Sequence, residues 1–151
     1  MTAITTRRAT IADLDAVAPL FDAYRQFYKQ DPDLPRARQF MKERIERGES
    51  IVFVAVTDAK AIVGFCQLYP TFCSVRAAHT YVLYDLFVSP DARAMGAGRS
   101  LMLAAEIHAA KTGAAKMELS TARDNTIAQS LYESLDWVRD ETFFVYGKSF
   151  G

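Results

Sequence analysis

The sequence predicts an α/β (α+β) fold, a mixed central sheet with helices on both faces. Three observations carry that expectation. Apolar residues recur at helical spacing through about residue 47, then switch to strand-like runs from Ile51. The elements come in the order short strand, two helices, three strands, then helix, strand, helix, strand. No repeat, low-complexity tract or linker breaks the 151 residues, which suits a single domain, 1–151, with one core.

Ile4 to Arg8 reads as a short first strand. Thr10 is a candidate N-cap, with Asp13 as its acidic first-turn partner. Leu14, Val17, Leu20, Phe21, Tyr24, Phe27 and Tyr28 share a helical period to about residue 29. Pro19 inside that period is expected to kink the helix or split it in two. After the loop Asp31-Pro32-Asp33, Leu34 to Arg47 forms a second amphipathic helix, closed by Gly48 as its C′ residue. Ile51 to Val56 is a continuous apolar run, the mark of a central strand. Asp58-Ala59-Lys60 turns the chain into a returning strand, Ala61 to Tyr69. Pro70 to Ala78 reads as a loop, and Thr80 to Val88 as a third long strand stopped by Ser89-Pro90. A helix spans Arg99 to Lys111 and ends at Thr112-Gly113. Lys116 to Thr121 is a strand, Asp124 caps a helix running to about Leu135, and Thr142 to Lys148 is the last strand.

Composition removes several function classes. Half the residues are hydrophobic and 24% are charged, which separates the chain from disordered proteins. Eighteen Lys and Arg balance eighteen Asp and Glu, so no net charge draws it to nucleic acid or an anionic membrane. No apolar run approaches the ~20 residues of a membrane span, and the stretch to Asp15 has no apolar signal region. The expected location is the cytoplasm. Cys66 and Cys73 lack metal-type spacing, so no metal site is expected, and they read as free thiols rather than a disulfide.

The first chemical signal is the turn Arg93-Ala94-Met95-Gly96-Ala97-Gly98, between an apolar strand and a helix. Glycine permits positive φ and close approach of a ligand to the backbone. The unpaired N–H groups of the helix start, about Gly96 to Ser100, and the helix dipole make an anion site suited to a diphosphate. Arg93 and Arg99 flank the turn and can donate to phosphate oxygens. A plain strand-to-helix turn is the competing reading. A dinucleotide fingerprint fits poorly, because Leu101 stands at the third glycine position and Pro90 to Arg93 separate strand from turn, although Glu118 falls at an acceptable distance. No Gly-Lys-Ser/Thr follows, which excludes a P-loop.

Asp85-Leu86-Phe87-Val88-Ser89-Pro90 followed by Arg93 to Gly98 resembles the GNAT (Gcn5-related N-acetyltransferase) superfamily, whose motif is Gln/Arg-x-x-Gly-x-Gly/Ala after a D-L-x-V strand. Asn125-Thr126-Ile127-Ala128-Gln129-Ser130-Leu131-Tyr132-Glu133-Ser134-Leu135 resembles the family's second motif. The order and separation of the two motifs agree with the family over essentially the whole chain. The Phe27-Tyr28 helix end, the Tyr69-to-Val88 block and Asp85 are similar to small bacterial members and to diamine/polyamine-type acetyltransferases. The resemblance implies a mostly antiparallel sheet of about six to seven strands, splayed between the strands at 80–88 and 116–121. It also implies acetyl-CoA as the acetyl donor. The family's Gly-Phe after the second motif is here Asp136-Trp137, which puts the geometry of that helix end in question.

Acetyl transfer from a thioester to an amine needs a neutral amine, a stabilised oxyanion and a protonated leaving thiolate. The resemblance implies that the cofactor's pantetheine arm lies along Leu86, Phe87 and Val88 as an added strand, with one backbone N–H facing the thioester oxygen. The side chains of these three residues alternatively read as core. The turn residues Arg93, Ala94, Met95, Gly96, Ala97, Gly98, Arg99 and Ser100 would hold the diphosphate. Tyr132 matches the tyrosine that protonates the thiolate; phenol (~10) lies above thiol (~8.5), so it is protonated at neutral pH. Packing beside Leu131 and Leu135 is the other reading of Tyr132. Asn125 matches a residue that bonds the cofactor arm, or caps the helix, and Ala128 is small enough to let the arm pass.

The acceptor side is less determined. Asp85 is the candidate base, either taking the proton itself, binding the ammonium as counter-ion or passing the proton through water; a structural acid is the alternative. Tyr84 stands where polyamine-type members carry Glu. Tyr24 and Tyr28 share a helix face and would line an acceptor pocket with cation–π contacts, or simply form the apolar face of that helix. Arg25 would favour a carboxylate-bearing acceptor. Arg76 and His79 lie in or beside a loop that could cover the site, with His79 a lesser candidate base and His108 a packing residue. The leading expectation is acetylation of a small-molecule primary amine. A protein or peptide amine acceptor and a non-catalytic acyl-CoA sensor are the alternatives. A homodimer is expected by analogy, with the apolar tail Phe143 to Phe150 offering strand surface.

Overall fold

A computed structural model describes residues 3–151. The described chain forms two compact units, one reaching Leu119 and the other Ser120–Gly151. The first unit holds a five-stranded sheet in the order β1-β2-β3-β4-β5. Its elements are β1 (Ile4–Arg8), α1 (Leu14–Phe27), α2 (Leu34–Glu46), β2 (Ile51–Thr57), β3 (Ile62–Cys73), β4 (Ala78–Val88), α3 (Ala97–Lys111) and β5 (Met117–Glu118). Strands β1 to β4 pair antiparallel in sequence order, and β5 runs parallel to β4.

The two sheet faces follow from strand alternation. Val52, Val54 and Val56 of β2, Phe65 of β3 and Phe87 of β4 pack with Leu14, Val17 and Phe21 of α1 and Ala37 and Met41 of α2. On the opposite face Cys66 Sγ reaches the Leu101 carbonyl at 3.7 Å, and Tyr81 stands against His108 and Thr112, so α3 covers this side. Gly64 lets the layers close: a Cβ there would lie 3.0 Å from the Phe87 carbonyl and 3.4 Å from Leu101 Cδ1. The second unit contains α4 (Thr126–Ser134). Among the described residues no helix is long and apolar enough to cross a membrane. Both cysteines are free.

Several expectations are corrected. The sheet has five strands, not six to seven. Thr142 to Lys148 forms no strand, and the stretch opens on a local turn in which the Asp140 carboxylate accepts from the N–H groups of Thr142 (3.1 Å) and Phe143 (3.2 Å). The strand expected at 116–121 shrinks to Met117–Glu118, paired only with Tyr81 and Val82. Beyond Val82, β4 has a bulge that bends it away. Gln67 pairs with Asp85 but Leu68 with Leu83, which leaves Tyr84 as the extra residue. Helix α1 continues unsplit through Pro19, preceded by a 3-10 turn, Ile11–Asp13, after Thr10. The loop expected at 70–78 is mostly hairpin, since β3 and β4 pair out to Cys73 and Ala78. Pro70 is tolerated there because it lies past the end of β2, where β3 has only β4 beside it. The cap of α4 is Asn125 rather than Asp124.

Candidate active site

The bulge decides where Asp85 points. In regular pairing Leu83 and Asp85 would share a face. The inserted Tyr84 instead puts Asp85 with Phe87 and Gln67 on the face covered by α1 and α2, while Leu83 stays opposite. Asp85 is only 3% exposed. Gln67, fully buried directly across from it, donates Nε2–H to Asp85 Oδ2 in a short hydrogen bond. Burial raises the Asp85 carboxyl, and hydrogen bonds from Gln67 and then Tyr24 offset part of that rise, which leaves it at about 6 rather than its ordinary 3.8.

The structure brings Tyr24, Tyr28 and Asp85 together. The Tyr24 hydroxyl donates to the carbonyl of the bulged Tyr84 at 3.0 Å, so the helix reads the bulge directly. The rings of Tyr24 and Tyr28 meet edge to face at 5.1 Å, and Tyr24 also stands edge-on to Phe65 at 6.1 Å and Phe87 at 6.3 Å. Tyr69 and Tyr84 form a second edge-to-face pair at 5.7 Å. Burial, then the Asp85 charge, raises the phenols of Tyr24, Tyr28 and Tyr69, so each is a neutral donor at pH 7. Arg25 Nη1 is buried and has no hydrogen-bond partner among the described residues.

The end of β4 and the glycine turn form one assembly. Among the described residues β4 has no second neighbouring strand beyond Val82, so the stretch Leu86, Phe87, Val88 presents one edge outside the ladder. Arg93 Nε donates to the Val88 carbonyl at 3.1 Å, and its guanidinium carbon lies 5.5 Å from the Phe87 ring centre. One donor of Arg93 thus fixes the turn to the strand rather than pointing outward. Ala94 (φ 70°) and Gly96 (φ 80°) are both left-handed, with Met95 between them. Such a backbone costs a non-glycine residue of order 1 kcal/mol, so Ala94 stores strain here. The α3 ladder starts with Ser100 N–H donating to Gly96 O at 3.0 Å, so the N–H groups of Ala97 and Gly98 precede the first ladder bond, with Arg99 beside them. A Cβ on Gly96 would meet nothing within 4 Å, so glycine is required there by φ and the turn stays open. This open, donor-rich turn suits the diphosphate of acetyl-CoA.

In the second unit Asn125 Oδ1 accepts from Ala128 N–H at 3.2 Å, so Asn125 does cap α4. Tyr132 lies on the same helix, its ring 6.5 Å from that of Trp137. Asp136 adopts φ 68°, the left-handed value the family's glycine would take.

His79 and Arg76 do not gather with Asp85. His79 stands in β4 beside Tyr81 (4.6 Å between rings), on the α3 face and about 20 Å along the strand from Asp85. His108 packs against Tyr81, as expected, and burial lowers its pKa. Sequence reasoning missed Gln67, whose signal was a lone amide inside the apolar run Ile62 to Tyr69.

The sequence model of the acetyltransferase (GNAT) family matches residues 15–137. The uncharacterized N-acetyltransferase YhfO of Bacillus subtilis (strain 168) is 44% identical over 140 residues, covering 93% of both chains. A crystal structure of a probable acetyltransferase superposes with a TM-score of 0.91 at 35% identity, over 97% of this chain and 98% of that one. An aminoglycoside N-acetyltransferase in complex with CoA shares the fold, with a TM-score of 0.81 at 18% identity over 98% and 96% of the two chains. With both sequence motifs, the left-handed glycine turn and a family match across most of its length, the chain belongs to the acetyltransferase (GNAT) family and is an N-acetyltransferase.

Proposed function

We propose that the whole chain acts as one domain that moves the acetyl group of acetyl-CoA directly onto the primary amine of a small molecule, with Asp85 as the base. The observation that carries this reading is the buried Asp85 carboxylate, turned by the Tyr84 bulge toward Tyr24 and Tyr28. A primary ammonium has a pKa near ~10.4, so it reaches the site charged. Asp85 holds it as counter-ion while the tyrosine faces replace water around it. Moving a proton from ~10.4 to an ordinary carboxylate at ~3.9 costs about 9 kcal/mol, at 1.36 kcal/mol per pH unit. Accepting it at the raised value of about 6 lowers that to ~6 kcal/mol. The neutral amine then attacks.

Acetyl-CoA supplies the activated acyl group as a thioester. Residues 93–100 hold its diphosphate, and the outer edge of Leu86, Phe87 and Val88 pairs with its amides. A backbone N–H of that edge stabilises the developing oxyanion, typically worth ~2.7–4 kcal/mol. By motif position Tyr132 donates its proton to the departing sulfur, with Asn125 and Ala128 flanking the arm. Arg25, with its unpartnered Nη1, favours an acceptor that also carries a carboxylate. A cytoplasmic homodimer is proposed by analogy with the resembling proteins.

Steady-state thiol release with a small diamine or amino acid tests the role of Asp85. Asp85→Asn is expected to lower kcat/KM at pH 7 by 10²–10⁴-fold, with acetyl-CoA affinity unchanged. Wild-type turnover in the variant would remove Asp85 from the reaction.

A further inference from the structure

Asp85 is not buried alone. Ser50, 4% exposed, donates its hydroxyl proton to Gln67 Oε1 at 2.6 Å. Gln67, with no exposure, donates from Nε2 to Asp85 Oδ2 and lies 3.7 Å from Met41 Sδ of α2. The three side chains make a continuous polar chain through a region otherwise built from Phe65, Phe87 and Met41. An amide in such a place is costly unless both its ends are paired, and here both are.

We propose that Gln67, locked in orientation by Ser50, is a positioning residue that keeps the Asp85 carboxylate ionised and directs the acceptor's proton to Oδ1. This rests on Asp85 being the base. A glutamine amide can be flipped so that either its oxygen or its nitrogen faces a neighbour. The ionised Asp85 carboxylate only accepts, so the amide nitrogen faces it, and the Ser50 hydroxyl completes the arrangement by donating to Oε1. A donor aimed at Oδ2 stabilises the charged carboxylate and makes that oxygen the less basic of the two. The ammonium N–H bond therefore breaks as an Oδ1–H bond forms, and Oδ2 remains the anchored oxygen.

Gln67 is the strongest donor to this carboxyl. Tyr24 and Tyr28 face Asp85 from α1 and Tyr69 from β3, Cys66 lies near it on the opposite face of the sheet, and Tyr84 adjoins it in β4. Cys66 is pushed up to about 12 by burial, and the three shifted phenols are raised as well, so all four are neutral at pH 7. The charges of Arg44 and Glu49 act on Tyr69. Tyr24, whose hydroxyl also donates to the Tyr84 carbonyl, lowers the Asp85 carboxyl less than Gln67 does. Gln67 is thus the main donor that opposes the effect of burial.

The test is the pH dependence of kcat/KM for a small primary amine, together with direct titration of the Asp85 carboxyl by carbon-13 NMR. Gln67→Met keeps the volume and removes the donor. It is expected to move the acid limb and the carboxyl titration up by about one pH unit, a loss of about fivefold near pH 6 that approaches tenfold at pH 5 and fades by pH 8. Ser50→Ala should shift both in the same direction by less, and Ser50→Thr, which keeps the hydroxyl, should restore the wild-type profile. A folded Gln67→Met with acid limb and carboxyl titration unmoved overturns the proposal. So does an unmoved titration in Ser50→Ala, should Gln67→Met fail to fold. Asp85→Asn separates the two claims: if it keeps the wild-type profile, the base assignment falls; if it loses the acid limb while Gln67→Met shifts nothing, only the role of Gln67 falls.

Discussion

At Asp85 the same burial that would suit the proposed base destabilises the fold. In the unfolded chain the carboxyl titrates near ~3.9, and in the folded chain it rises to about 6. A group whose folded pKa is raised contributes stability that is fully present below the unfolded value and is lost as pH rises through the folded one. Between pH 4 and pH 7 this residue therefore withdraws about 2 kcal/mol of stability. Asp85→Asn, which imitates the protonated acid, should be more stable than wild type at pH 7.5 by up to that amount and indistinguishable from it near pH 4. Denaturant melts at the two pH values measure this. A constant difference between the proteins would mean that the carboxyl is not strained by burial. Tyr132 calls for a kinetic prediction: Tyr132→Phe should lower kcat with little change in acetyl-CoA affinity. An unchanged kcat, with chemistry shown to be rate-limiting, would take the proton-donor role from Tyr132.

Among the elements, helix ends and one strand bulge set most of the geometry. Helix α4 ends in a Schellman motif. Trp137 N–H donates to the Tyr132 carbonyl and Asp136 N–H to that of Glu133, both at about 3 Å, with Asp136 in the left-handed position. Helix α1 ends the same way around Lys29 (φ 67°), with Gln30 N–H on the Arg25 carbonyl and Lys29 N–H on that of Gln26. A left-handed non-glycine residue costs ~1–2 kcal/mol, and glycine returns ~0.5–1 kcal/mol of that in backbone entropy. Asp136→Gly and Lys29→Gly should each stabilise the protein by roughly 0.5–1 kcal/mol. A fall in stability for either would show that the side chain contributes more than its strain removes. In the sheet, Gly64→Val would drive a side chain into the Phe87 carbonyl and Val88 Cγ2, 3.0 and 3.2 Å from its Cβ. It should destabilise by about 1–3 kcal/mol and displace the edge of β4 proposed to bind the cofactor, weakening acetyl-CoA binding measured by calorimetry.

For the molecule as a whole, the most legible features were those written in local periodicity and composition. The helical period from Leu14, the apolar run Ile51 to Val56 and the Gly48 stop are one-residue or one-element signals, and each appears where expected. The glycine turn was legible because positive φ at Gly96 needs a residue type that can be read directly. Long-range properties were not. The bulge at Tyr84 exists only in the register between β3 and β4, so nothing near Asp85 in sequence announced which face it would occupy. Gln67 and Ser50 are 18 and 35 positions from Asp85 and met it only through the fold. Where the last strand was expected, Asp140 takes up the first two backbone donors, a contact that alternating hydrophobicity does not reveal. The family was set by two motifs in the right order. The proposed acceptor site depends on Asp85, Tyr24 and Tyr28 being brought together by the fold, a grouping that periodicity alone reads equally well as packing.

Acetylation of a small primary amine by this chain would be read directly as thiol release from acetyl-CoA. The purified protein would be offered diamines, amino acids, aminoglycosides and lysine peptides in parallel at pH 7.5. Turnover is expected with one class of small amine, well above that with any peptide, and is expected to be lost in Asp85→Asn. Release with lysine peptides alone, or none with any amine while acetyl-CoA still binds, would contradict it.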